Sequence, residues 1–167
     1  MRKRLFLFTA LLILALSIGV VTHQTQAANI ASTIEPNAGG AELWVTPVWN
    51  DSATQINDNE IVVWDFGSST GDDDNWVATT TTANTHLIAG VAYGNIPAKS
   101  AGAIVIRGVY PVEVTSSCNP GSYICSSTTA GSGSMCQSNN PRVGITTGGS
   151  ATTGADCTVF VDPSEGN

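Results

Sequence analysis

"LIAGVAYGNIPAKSAGAIVIRGVY", residues 87–110, is a run of small and β-branched residues broken by Gly90, Gly94, Gly102 and Gly108. It admits three readings: a ligand cradle, a membrane-packing stripe or a hairpin in a β-domain. Gly90 and Gly94 form a GxxxG, but a membrane stripe needs a long apolar helix around it. Here Asn95, Pro97 and Lys99 follow at once. A phosphate loop would end in Gly-Lys-Ser/Thr and open a helix whose amides face the phosphate, and neither feature is present. The hairpin reading remains, with glycine marking a bulge or a close strand contact.

Within this stretch, "AGVAYGNIPAKSAGAIVIRG" is echoed by "VGITTGGSATTGADCTVFVD" near the end of the chain. Each has a glycine pair (Gly90 with Gly94, Gly144 with Gly148), a loop and then an apolar strand (Ile104–Ile106, Thr158–Val161). Two such units suggest a duplicated structural hairpin. No window past residue 27 keeps apolar residues at helical spacing for three turns, whereas β-branched and aromatic residues alternate in short runs between turn residues. That pattern predicts an all-β fold. Strands are expected at 41–49, 60–66, 75–80, 86–93, 102–114 (bent at Gly108 or Pro111), 142–147 and 156–162. The expected architecture is a single small β-barrel or β-sandwich of about seven to nine short strands. Residues 115–141, rich in Ser, Thr, Gly and Asn, are expected to be a loop-rich segment ordered by cross-links.

The chain opens with Arg2, Lys3 and Arg4, an apolar stretch from Leu5 to Val21 and a polar tract closing on Thr25-Gln26-Ala27. This is the layout of a secretory signal peptide, so residues 1–27 are expected to be removed and 28–167 to form the domain. The balance of the expected domain is then three basic residues (Lys99, Arg107, Arg142) against 13 acidic ones. A surface this acidic repels nucleic-acid phosphates and anionic lipid, so neither nucleic acid nor membrane is expected as a partner. Secretion, with an extracellular or cell-surface location, is the expected fate.

All four cysteines, Cys118, Cys125, Cys136 and Cys157, lie in the last third of a chain bound for an oxidising compartment, and disulfides are the natural expectation. A zinc site would call for close pairs such as CxxC, which are absent. Of the three possible pairings, Cys118–Cys125 with Cys136–Cys157 is preferred, because the first would close the turn "CNPGSYIC".

Candidate chemistry is sparse. Asp72, Asp73 and Asp74 in "GDDDN", with Asp65 upstream, are oxygen-rich groups of the kind calcium favours. The run lacks the alternating spacing of a calcium loop and reads as a solvated acidic turn. His86 is the single histidine after the leader, with no GxSxG elbow to pair it with a nucleophile. Among Glu35, Glu42, Glu60, Glu113 and Glu165, nothing nominates a glycosidase pair. Trp44, Trp49, Trp64 and Trp76 suit core packing. A sugar-stacking platform is the alternative, but Trp44 and Trp49 are five apart and would face opposite sides of a strand. No catalytic residue, cofactor or metal is therefore assigned, and the chain is not expected to be an enzyme.

"NEIVVWDFGSSTGDDDNWVATTTTANTHLIAGVAYGNIPAKSAGAIVIRGVYPVEV" (59–114), with "VG-I" at Val143–Ile145 and "V-F-V" at Val159–Val161, resembles virion structural proteins of tailed phages, notably the small β-rich capsid-decoration type. The likeness runs through Asp65, a threonine-rich linker, Gly90-Val91, Ile96-Pro97-Ala98, Gly102 and the strand Ile106–Gly108. It implies a noncatalytic β-barrel or sandwich that caps or decorates a repeating lattice through protein partners and self-association, often as a trimer. Phage capsid proteins carry neither an export leader nor four cysteines, so the module here would serve an extracytoplasmic assembly. A carbohydrate- or ligand-binding module is the alternative.

Overall fold

The computed structural model describes residues 34–36, 42–67, 75–148 and 155–164. The leader, Asp72–Asp74 and Glu165 lie outside them, and so does the side chain of Glu35. The described chain is all-β, with ten strands: β1 (Ile34–Pro36), β2 (Glu42–Asn50), β3 (Ile61–Trp64), β4 (Trp76–Thr79), β5 (Ile88–Ala92), β6 (Ser100–Glu113), β7 (Tyr123–Ser126), β8 (Gly133–Cys136), β9 (Arg142–Gly148) and β10 (Asp156–Ser164). Seven of these match the expected strands. The other three, β1, β7 and β8, are only three or four residues long, and β7 and β8 form an antiparallel hairpin inside the segment expected to be loop-rich.

The sheet order is β1-β2-β4-β3-β5-β6-β10-β9-β7-β8, and β2 also pairs with β6. That additional pairing closes β2, β4, β3, β5 and β6 into a ring, joined by one short parallel contact between β2 and β4. The other half of the molecule continues from the second part of β6 through β10, β9, β7 and β8. It returns to the end of β6 through a bridge between Val114 and Gly133. The fold is thus two curled halves sharing one long strand, which is compatible with the expected barrel or sandwich without being a clean barrel.

Two cores result. One lies between the halves and includes Val45, Ile61, Val91, Val105, Val112, Ile124, Val143, Val159 and Val161. The second lies within the ring and includes Val48, Ile56, Val62, Val77, Ala92, Ile96 and Ile104. Strands of the ring therefore have both faces buried, as Ile61 and Val62 or Val105 and Ile104 illustrate. A strand covered on both faces reads as a continuous apolar run instead of an alternating one. This is the physical reason for "IVVW" and "IAGVA", and every residue of β5 is buried.

Strand β6 changes faces where it changes partners. Val45 pairs with Val105 but Trp44 pairs with Arg107, so the ladder slips by one residue there. An extra residue of this kind inverts the alternation. Before the slip Val105 faces the shared core, and beyond it Tyr110 and Val112 do. Gly108 follows the slip with φ 119°, and a Cβ there would strike the Glu42 carbonyl and Leu43. The register slip thus falls at Ile106, two residues before Gly108, while Gly108 and Pro111 both continue in register with Val161 and Thr158.

The echoed hairpins are β5–β6 and β9–β10, both antiparallel. A Cβ at Gly90 would overlap the Val105 carbonyl oxygen, and one at Gly144 would overlap the Phe160 carbonyl oxygen. The two glycines do the same steric work in the two hairpins. The second glycines differ: Gly94 turns the chain with φ 78°, whereas Gly148 only ends a strand.

The cysteine pairing departs from the preferred one. The bridges are Cys118–Cys157, with Cα atoms 6.4 Å apart, and Cys125–Cys136, at 5.9 Å. The turn "CNPGSYIC" needs no disulfide. Ser122 N–H donates to the Asn119 carbonyl (3.1 Å), Gly121 N–H to Thr146 O (2.8 Å) and Thr146 N–H to Ser122 O (2.9 Å). With the turn held by β9, Tyr123 begins β7 and carries Cys125 into a hairpin where Tyr123 faces Cys136. Cys125 and Cys136 are then diagonal neighbours on adjacent strands, close enough to be bridged. Cys157 faces Val112 in the β6–β10 ladder, which brings the loop after β6, carrying Cys118, within its reach.

Candidate interaction surface

Among the described residues, His86 shares no hydrogen bond with Glu42, Glu60 or Glu113, whose carboxylates bond instead to Trp44, Asn57 and Ser132. His86 is exposed in the connection leading to β5, and among the described residues no hydrogen bond links it to a carboxylate. Asp65 caps its own loop, accepting a hydrogen bond from Gly67 N–H at 3.0 Å. Among the described residues no cluster of three or more His, Cys, Asp or Glu side chains is placed to hold a metal ion. Asp72–Asp74 lie outside the described residues. Trp64 packs against the ring core, while Trp44 and Trp49 are 42% and 38% exposed. Trp44 and Trp49 stand on opposite faces of β2, as their spacing predicts, so they build no common platform.

What the fold does assemble is an outward sheet face. Along β10, Cys157, Val159 and Val161 are buried, while Asp156 and Thr158 are exposed and Phe160 is half-buried. Register sets the neighbours of these outward residues: Asp156 faces Glu113, Thr158 faces Pro111, and Phe160 faces Val109 on β6 and Ile145 on β9. Ile145 in turn faces Tyr123 on β7. Directly opposed residues share a face and are in side-chain contact range. Val109, Phe160, Ile145 and Tyr123 therefore make an apolar row across four strands.

An arginine lies on an aromatic ring at each end of this row. The Arg142 guanidinium carbon is 4.9 Å from the centroid of Tyr123, and that of Arg107 is 5.5 Å from the centroid of Trp44. Such stacking is worth about 0.5–1 kcal/mol at exposed sites. Trp44 Nε1 also donates a long hydrogen bond to Glu42 (3.4 Å). Glu42, Trp44, Arg107 and Phe160 line an open groove of about 460 Å³.

The opposite end of the face is acidic. Asp156 accepts a hydrogen bond from Asn59 Nδ2 (2.8 Å) and Glu113 one from Ser132 Oγ (2.9 Å). The loop 57–60 seals this end, since Glu113 N–H donates to Asn59 O (2.9 Å) and Ile61 N–H to Gly131 O (2.6 Å). Beside it, Tyr110 donates its hydroxyl proton to Asp58 at 2.7 Å. Burial, and then that hydrogen bond, hold the Tyr110 phenol well above its ordinary pKa.

Arg107 and Arg142 were visible in the sequence as two of three cations in the expected domain, but their places on rings were not, because the stacking pairs come from different strands. Phe160 had a local signal. In "DCTVFVD" it is the one aromatic on the face otherwise made of Asp156, Thr158 and Asp162.

No protein-family model and no curated protein sequence matches this chain. Among solved structures, its fold is similar to "the crystal structure of head fiber gp8.5 N base in bacteriophage phi29", with a TM-score of 0.53 at 12% sequence identity. The match covers 72% of this chain and 94% of that one. The chain therefore has a fold of the kind found in a phage virion protein, which agrees at the level of fold with the resemblance read from residues 59–114 and 142–162.

Proposed function

We propose that the protein is a noncatalytic structural subunit of an extracellular or surface assembly of virion type, working by protein–protein packing. The observation that carries this reading is the fold shared with a head fiber base over nearly the whole length of that domain. Two disulfides support a destination outside a reducing compartment. The outward face supports a packing role, since aromatic residues and arginine are enriched where proteins meet. Self-association into a repeating array is part of the proposal, and a trimer is one form it could take.

One observation favours a second reading, binding of a glycan or another extracellular ligand: the groove beside the exposed Trp44. Against it, Arg107 already lies over the Trp44 ring that a sugar would need. Immunogold electron microscopy of producing cells and of the particles they release separates the two. The structural reading expects label repeated at regular spacing on an assembled object. Label spread over polysaccharide, with none on any ordered structure, would contradict it.

A further inference from the structure

The two disulfides differ in what surrounds them. Cys118 and Cys157 are both buried, at 4% and 0% exposure, and Cys157 lies in β10 with β6 on one side and β9 on the other. A dissolved thiol has no approach to either sulfur while the fold is intact. Cys125 is buried as well, but its partner Cys136 is partly exposed. Cys136 ends β8, the last strand in the sheet order, between Met135, which is 41% exposed, and the exposed Gln137. Bridges that solvent can reach are the ones that exchange with thiols.

The strand held by this bridge has little else of its own to hold it. β8 is Gly133-Ser134-Met135-Cys136 and buries no large apolar side chain, while Ile124, opposite Met135, supplies the core contact from β7. A two-stranded hairpin of this kind is marginal by itself. Yet β8 and the turn before it clasp both halves of the molecule. Gly131 O accepts a hydrogen bond from Ile61 N–H (2.6 Å) at the start of β3, and Gly133 O accepts one from Thr115 N–H (2.8 Å) beyond the end of β6. The buried Ser132 donates its hydroxyl proton to Glu113 (2.9 Å). Gly133 lies so close over the core that a Cβ there would stand 2.6 Å from the Ile124 side chain and 3.0 Å from that of Ile61.

We propose that Cys125–Cys136 is a thiol-sensitive latch, closed in an oxidising medium and opened by a small thiol while Cys118–Cys157 stays intact. A thiolate attacks Cys136 Sγ and forms a mixed disulfide, and Cys125 leaves and takes up a proton. A second thiol then displaces Cys136, so two thiols become one external disulfide and the protein gains two S–H groups. β8 is then free to peel from β7, which bares Ile61 and Ile124. The remaining bridge keeps β10 tied to the loop after β6 and the rest of the fold in place. The latch requires only the two bridges and their surroundings, so it stands whether or not the chain builds an assembly.

Timed exposure to reduced glutathione tests it. The full chain, produced through an oxidising compartment so that both bridges form, is quenched at intervals with an alkylating reagent, and the free cysteines are mapped by mass spectrometry. Cys125 and Cys136 should be alkylated about tenfold or more faster than Cys118 and Cys157, because opening an edge strand takes less free energy than unfolding the whole chain. Hydrogen exchange on the singly reduced protein should quicken at the amides of Ile61 and Thr115 and stay unchanged in the β2–β6 ladder. Cys125→Ser/Cys136→Ser should show the same pattern without any thiol. Loss of both bridges at one rate, loss of Cys118–Cys157 first, or resistance of both to glutathione would overturn the latch. Selective reduction that leaves exchange at Ile61 and Thr115 unaltered would overturn it too, since β8 would then stay in place without its bridge.

Discussion

At the residue scale, the fold depends on a few positions where an atom has no alternative place. Gly144 packs its α-carbon against the Phe160 carbonyl, so Gly144→Ala forces the β9–β10 hairpin apart and should cost about 1–3 kcal/mol in urea unfolding. Gly148→Ala is its control: a Cβ there meets Thr158 at an ordinary 3.5 Å, and the change should stay within about 0.5 kcal/mol. Asn50 is fully buried and donates from Nδ2 to the carbonyls of Thr54 (2.9 Å), Ile96 (3.1 Å) and Pro97 (3.0 Å), tying two loops to the end of the ring. Asn50→Ala leaves those carbonyls without that donor and should destabilise by about 2 kcal/mol in the same assay. Tyr110 adds a pH dependence. Its phenol titrates above 10.0, the ordinary value, so the folded state holds that proton more tightly than the unfolded chain. The stability this contributes is fully present below pH 10 and is lost as pH rises from there toward the folded pKa. Tyr110→Phe should flatten the alkaline fall in Tm, and an unchanged fall would show that other groups cause it.

At the scale of elements, the seven longer or more apolar strands were legible because their β-branched runs and bounding turns are local properties. The three short strands were not. β7 and β8, "YICS" and "GSMC", carry few apolar residues, and their pairing depends on Cys125–Cys136 and on the turn held by Thr146. The cysteine connectivity was illegible for the same reason: it follows from which strands become neighbours, and spacing along the chain does not encode that. The bridges should contribute unequally. Cys118–Cys157 spans 39 residues and Cys125–Cys136 spans 11, so loop-closure entropy assigns the first about 4 kcal/mol and the second about 3 kcal/mol. Peptide mapping of the non-reduced protein should recover these two pairings. Thermal unfolding of Cys118→Ala/Cys157→Ala should show a larger fall in Tm than Cys125→Ala/Cys136→Ala, and the reverse order would mean that the hairpin bridge orders more than its own loop.

At the scale of the whole molecule, two cores share a single long strand, and the outward sheet face beyond the ring is left with aromatic, aliphatic and arginine side chains. Residues 87–110 were legible as a hairpin, but the burial of its strands on both faces and the make-up of the outward face could not be read from any one segment. Its members come from β2, β6, β7, β9 and β10, and only the register makes them neighbours. The function we propose for this scaffold is to join other copies of itself. Native mass spectrometry of the protein, isolated without denaturant from the cells that produce it, measures that directly. The expected masses are two or more times that of the chain, or the protein is found incorporated into a particle. A single chain mass, with the protein recovered instead as a soluble monomer on polysaccharide, would contradict it.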